Sequence, residues 1–139
     1  MLEVYQITKN FPKEEMFGLV SQMRRASVSV TSNIAEGFGR EFVKEKTQFY
    51  SRSLASITEL QNQLLVAKDV GYIDNNKFQE LAEQSVKVHK LTNGLIKKNK
   101  KSQMRFFSIT IRKHHRFHHV KHRIIRSNNT PFVIFLFQT

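Results

Sequence analysis

SQMRRASVSVTSNIAEGFGR, residues Ser21–Arg40, is the stretch that decides the fold. It belongs to a longer segment, residues 13–36, in which apolar or small side chains recur every three or four positions, as they do on one buried face of an α-helix. Gly37 and Gly39 follow that segment and are predicted to end the helix. The predicted buried stripe consists of Met16, Leu19, Val20, Met23, Ala26, Ser27, Val30, Ile34 and Phe38.

Three further helices are predicted around this one. A short helix covers Leu2–Lys9 and is broken before Pro12. A long helix covers Glu41–Val70, with Gly71 at the position of a C-terminal cap. A fourth covers Asp74–Lys98, and the aspartate at its start is a favourable N-cap. The predicted stripe of the long third helix is Phe42, Phe49, Tyr50, Leu54, Ile57, Leu60, Leu64 and Ala67.

Short connections between these helices make consecutive helices antiparallel neighbours. The sequence therefore predicts an all-α fold: an antiparallel up-and-down four-helix bundle with a short first helix, formed by residues 1–102. Residues 103–139 form a basic His/Phe-rich tail that holds no Asp, Glu, Gly or Ala. We expect this tail to be disordered or poorly packed and to lie outside the fold.

The charge of the chain is strongly positive and unevenly distributed. The net charge is +12; residues 1–102 contribute +5, and residues 103–139, with seven Lys/Arg and no acid, contribute +7. Such an excess favours polyanionic partners: RNA, DNA or an anionic membrane surface. The chain has no cysteine, its N-terminus has no signal-peptide pattern, and no run is long enough to span a bilayer. We therefore expect a cytoplasmic protein with no membrane partner.

Three segments resemble the four-helix-bundle family of 23S rRNA intervening-sequence proteins. They are NFPKEEMFGLVSQMRRASVSVTSNIAEGFGR (Asn10–Arg40), SLASITELQNQLLVAKDVGYI (Ser53–Ile73) and LTNGLIKK (Leu91–Lys98). The resemblance covers about two thirds of the chain, from Phe11 to Lys101. It implies a small all-α protein that assembles as a ring, a pentamer, and it implies nucleic-acid binding through a related branch, the accessory proteins of diversity-generating retroelements. Some family members are encoded inside insertions in ribosomal RNA genes.

The resemblance also sets expectations for both ends of the chain. Family members have about one to two dozen further residues before the point where this chain starts, which would complete the first helix. The family ends near Lys98, so Gln103–Thr139 has no counterpart in it. The composition of that tail indicates readthrough, frame-shifted or insertion-derived sequence.

Five basic residues are candidates for nucleic-acid binding: Arg24, Arg25, Arg40, Lys97 and Lys98. Guanidinium groups pair with phosphates through their planar fork, and a symmetric ring would repeat each of them around its axis. The alternative is structural, because arginines in helical bundles also form ion pairs within or between subunits. Glu36, Glu41 and Glu45 are the available partners.

Asn33, Glu36, Gly37 and Gly39 form the NIAEGFG motif, for which we expect helix-end capping and subunit contacts. No base or metal partner for Glu36 is evident, so no catalytic residue is predicted.

The tail contains five histidines that would form i,i+4 pairs in a helix, but no carboxylate is near to orient their rings. They are His114, His115, His118, His119 and His122. We therefore expect no selected metal site, no cofactor and no enzymatic activity. Two functions remain: a non-enzymatic oligomeric bundle that binds RNA or DNA, or a ring-forming protein-interaction module with no nucleic-acid role.

Overall fold

The computed structural model describes the backbone of residues 2–127 and the side chains of residues 2–109. This part of the chain is all-helical and contains no strand. Four α-helices follow one another: α1 (Leu2–Ile7), α2 (Leu19–Gly39), α3 (Val43–Asp69) and α4 (Asn75–Ser127). Two 3-10 turns, Thr8–Asn10 and Lys13–Met16, connect α1 to α2. The predicted fold class, an all-α four-helix bundle with a short first helix, is confirmed.

The connection before α2 is organised by one carboxylate. Gly18 has φ −95° and ψ −116°, which interrupts the helix predicted to begin near residue 13. Oε2 of Glu15 accepts the backbone N–H of Leu19 at 3.0 Å, so this side chain serves one of the backbone donors at the start of α2. Oε1 of Glu15 accepts the hydroxyl of Tyr72 at 3.3 Å. Burial, and then the charge of Glu15, raise the pKa of Tyr72.

The turn between α3 and α4 follows the predicted local signals. Gly71 has φ +80°, and the N–H groups of Gly71 and Tyr72 donate to the carbonyls of Lys68 and Ala67, the Schellman arrangement that ends a helix. Oδ1 of Asp74 then accepts the backbone N–H of Lys77 at 2.7 Å, as an N-cap does.

Helices α2 and α3 approach each other closely along a seam of small residues. The hydroxyls of Ser29 and Ser56 lie 2.8 Å apart, and the buried Ser53 hydroxyl donates to the carbonyl of Val30 at 3.0 Å. Near the end of α2, Gly37 is buried against Tyr50 of α3. A seam of serines and one glycine lets the two backbones approach while satisfying the buried hydroxyls.

Helix α4 closes the bundle. Nε2 of Gln61 in α3 donates to Oγ of Ser85 at 2.9 Å, and Nε2 of Gln84 donates to the Glu3 carboxylate in α1 at 2.8 Å. Lys77 also pairs with Glu3 at 3.8 Å. These contacts surround a core cluster to which all four helices contribute: Val4, Phe11, Val20, Met23, Leu64, Ala67, Ile73 and Leu81.

Three sequence expectations are wrong in detail. Gly37 does not end a helix, because α2 continues to Gly39. Three residues of the predicted stripes, Met16, Phe38 and Phe42, are 47%, 79% and 64% exposed. Met16 lies in the 3-10 turn before α2, and the two phenylalanines lie where α2 ends and α3 begins. Helix α4 passes residue 98 and continues to Ser127.

The chain divides into two units, and the boundary lies between Ser102 and Gln103. In keeping with a poorly packed tail, every described side chain of residues 103–109 is exposed. Residues 128–139 lie outside the described part, and so do the side chains of the predicted histidine cluster.

Candidate nucleic-acid interface

The three candidate arginines do not form one surface. Nε of Arg24 donates to the buried Thr8 hydroxyl at 2.9 Å, and its guanidinium carbon lies 5.1 Å from the centroid of the Tyr5 ring. Tyr5 lies in α1 and Thr8 in the 3-10 turn after it. Arg24 therefore connects both of these elements to α2. As the 100° step between successive helix residues requires, Arg25 points elsewhere and pairs with Glu59 of α3 at 3.5 Å.

Arg40 is held at the end of α2. Its guanidinium pairs with Glu36 one turn earlier at 3.4 Å and lies 4.7 Å from the Phe49 ring centroid. Arg52 lies 5.2 Å from the same ring. Glu36 is one of the ion-pair partners that the sequence suggested. The ion pair therefore holds Arg40 against the last turn of α2, and the cation–π contact with Phe49 connects it to α3.

The remaining residues of the NIAEGFG motif lie within helix α2. Nδ2 of Asn33 donates to the carbonyl and hydroxyl of Ser29 at 2.8 and 3.1 Å, beside the serine seam. Gly37 provides the close approach to α3, whereas a Cβ at Gly39 would meet nothing within 4 Å. Among the side chains of residues 2–109, no three His, Cys, Asp or Glu residues converge as a metal site would require.

Lys97 and Lys98 belong to a larger set of exposed lysines on the same side of α4. Five exposed lysines of α4, here called the lysine face, lie within about 100° of the helix circumference, opposite the buried residues Leu81, Ser85, Thr92 and Ile96. No ion pair joins any of the five to a described residue. The lysine face consists of Lys87, Lys90, Lys97, Lys98 and Lys101.

The balance of basic and acidic residues changes sharply after Glu83. Residues 1–83 contain 10 Lys/Arg and 11 Asp/Glu, whereas residues 84–139 contain 13 Lys/Arg and no acid. The net positive charge of the four-helix unit therefore comes from the α4 lysines after Glu83. A count of acids in successive windows would have revealed this change of charge in the sequence.

Comparison with known proteins identifies the fold family. Residues 1–94 match the family described as 23S rRNA-intervening sequence protein. The chain belongs to this family. The match ends within α4, before the last lysines of the lysine face and before the whole second unit.

A solved structure shows the same fold. It is the crystal structure of a protein of unknown function from the S23 ribosomal protein family of Bacteroides thetaiotaomicron VPI-5482. It superposes with a TM-score of 0.62 at 20% sequence identity, over 69% of this chain and 87% of that chain. No curated protein sequence matches the chain. Neither the family nor the solved structure indicates an enzyme, and no described helix is long and apolar enough to cross a bilayer.

Proposed function

We propose that this chain is a non-enzymatic, homo-oligomeric bundle protein of the cytoplasm that binds RNA or DNA through the lysine face of α4. The observation that supports the proposal is a set of five exposed lysines on one side of one helix, without a described acidic partner. The candidate arginines contribute less, since each already has a partner within the chain.

The dimensions of the lysine face suit a phosphate backbone. From Lys87 to Lys101 the helix rises about 21 Å at 1.5 Å per residue. One strand of a duplex presents a phosphate about every 3.4 Å along the axis, so the face spans roughly six phosphates. Gly94 lies within the face, and a Cβ there would meet nothing within 4 Å, so no described residue covers the helix at this point.

A salt titration tests the proposal. The variant K90Q/K97Q/K101Q removes three charges while keeping a similar helix propensity. Binding of the full chain to a single-stranded RNA of about 20 nucleotides should become less salt-dependent, with the slope of log K against log salt smaller by about 2. The matched control K9Q/K13Q/K44Q removes the same charge from exposed lysines outside α4, and its slope should stay near that of the unchanged chain.

A gain of affinity provides the complementary test. Gly94→Lys places a further lysine in open space on the lysine face, and it should increase the slope by about 0.7. Equal slopes for the two triple variants would show that only total charge matters, and the lysine face would lose its role. No RNA binding at about 50 mM salt, where electrostatic contacts are strong, would refute the proposal altogether.

Oligomerisation is part of the same proposal. A ring of five copies, which the family resemblance suggests, has a mass five times the 16.3 kDa of the chain. Light scattering on the full chain measures this directly. A monomer mass at all concentrations would refute the oligomeric part and leave the RNA experiment unaffected.

The second candidate function is a ring-forming protein-interaction module. The pairing of Arg25 with Glu59 and of Arg40 with Glu36 supports it, because arginines held in ion pairs suit structural roles. Under this alternative, Arg25→Ala changes the oligomer mass, and the two triple lysine variants bind RNA equally weakly.

A further inference from the structure

The second unit begins with a helical segment whose apolar side chains face solvent. Helix α4 continues to Ser127, beyond the part of the chain that matches the family. Among the first seven residues of the second unit, four large apolar side chains are exposed: Met104 67%, Phe106 76%, Phe107 68% and Ile109 54%. We call residues 103–109 the aromatic segment.

The apolar residues of the aromatic segment occupy most of the helix circumference. Phe106 and Ile109 are three residues apart and share one side, and Met104 and Phe107 share the adjoining side. Arg105 and Ser108 share the remaining side, where the Ser108 hydroxyl donates to the Arg105 carbonyl at 3.1 Å. Gln103 lies between Phe106 and Phe107 on the helix circumference. The segment therefore has a wide, mostly apolar side and a narrow polar, basic one.

The charge around the aromatic segment has one sign. Residues 103–127 contain seven Lys/Arg and no Asp or Glu. A partner that complements this part of the chain is therefore anionic, and it must also offer an apolar environment to four large side chains. A nucleic acid complements the charge and can stack bases on the two phenylalanines, but it offers no apolar environment to Met104 and Ile109. An anionic lipid surface supplies both requirements.

We infer that the extension of α4 lies on the surface of anionic membranes, with Phe106, Phe107 and their apolar neighbours at the boundary of headgroups and acyl chains. This is an interfacial position and not a membrane span, in accord with the absence of a spanning helix among the described residues. It departs from the expectation of no membrane partner, which rested on the absence of a segment long enough to cross a bilayer. A helix that lies in the interface needs basic and apolar residues together, not a long apolar run.

Co-sedimentation of the full chain with vesicles tests the inference. Vesicles of phosphatidylcholine with about 30% phosphatidylglycerol should bind the chain, and vesicles of phosphatidylcholine alone should bind it far less. In F106S/F107S the partition onto the anionic vesicles should fall at least about tenfold, because burial of a phenylalanine side chain contributes roughly a factor of ten or more. Serine and phenylalanine have similar helix propensities, so the helix should be retained.

The chain offers a closely matched control. Phe38 and Phe42 are 79% and 64% exposed and lie in the first unit, so F38S/F42S removes similar apolar surface elsewhere and should partition like the unchanged chain. Three results would overturn the inference: no binding to anionic vesicles, equal losses in the two double variants, or undiminished binding of F106S/F107S. A tenfold loss of RNA binding in F106S/F107S with unchanged vesicle binding would also overturn it, and would assign the segment to base stacking.

Discussion

The substitution Gly37→Ala tests how closely α2 and α3 must approach. A Cβ at this position would lie 2.6 Å from Cε1 and 2.9 Å from Cδ1 of the Tyr50 ring, and 3.2 Å from Cβ of Phe49. Carbon atoms prefer separations of about 3.5–4.0 Å. Tyr50 is 3% exposed, so its ring has little room to move, and relief of the clash requires the two helices to separate.

The expected change in the free energy of unfolding is the difference between two effects. Overpacking by one methyl group costs about 1–3 kcal/mol, and a contact nearly 1 Å too short belongs to the upper part of that range. Alanine regains up to about 1 kcal/mol of helix propensity over glycine. We therefore expect a net loss of about 1–2 kcal/mol, which corresponds to a fall in Tm of roughly 5–10 °C for a unit of this size.

Gly39→Ala is the matched control, two residues away in the same helical turn. Its Cβ would meet nothing within 4 Å and its φ is not positive, so this variant should be as stable as the unchanged chain or slightly more stable. Urea and thermal unfolding followed by circular dichroism measure both. If Gly37→Ala matched or exceeded Gly39→Ala in stability, the close approach of α2 and α3 would be wrong. A cost that persists undiminished when Tyr50 is also replaced by Leu would contradict the assignment to this ring.

Three further predictions concern stability. Glu15→Ala removes an acceptor for the start of α2 and for the Tyr72 hydroxyl, and should lower the free energy of unfolding by about 1–2 kcal/mol in urea titrations; an unchanged midpoint would contradict the capping role. The pKa values of Tyr72 and Lys77 are raised, by burial in the first case and chiefly by the hydrogen bond to a neighbouring carboxylate in the second. Their contribution to stability should therefore be complete below pH 10 and decline as pH rises through the folded pKa values. The double variant Tyr72→Phe with Lys77→Met should flatten the alkaline part of the plot of Tm against pH. Arg25→Ala should cost less than about 1 kcal/mol, because its pair with Glu59 is exposed; a larger loss in a urea titration would show that the pair is coupled to the core.

The features that the sequence predicts correctly are those that depend on residues adjacent in the chain. The cap at Gly71 and the N-cap Asp74 follow from local backbone chemistry, and both are present. The break at Gly18 was missed, because the apolar period continues through it. The predicted end of the fourth helix near Lys98 is wrong. The apolar stripe that predicts this helix stops at Leu95, but neither glycine nor proline interrupts residues 95–130.

The candidate site was harder to predict. The partners of Arg24, namely Thr8 and Tyr5, lie 16 and 19 positions away in the sequence, and no periodic pattern connects them to it. Lys97 and Lys98 were identified from a run of like charges, but the rest of the lysine face became evident only when the buried side of α4 fixed which residues point outward. Contacts between side chains of different helices depend on the tertiary structure and cannot be predicted from a periodic pattern. The exposed side of a helix can be predicted once its buried side is known.

The lysine face constrains how copies of this chain can associate. Placing two such faces against each other would oppose five positive charges to five, and like-charge contacts of this kind cost several kcal/mol. Any assembly must therefore direct the lysine faces away from its subunit contacts or hold them together around a shared anion. In the second case the polyanion would stabilise the assembly as well as bind to it, and the oligomer mass would depend on the presence of that anion and on salt.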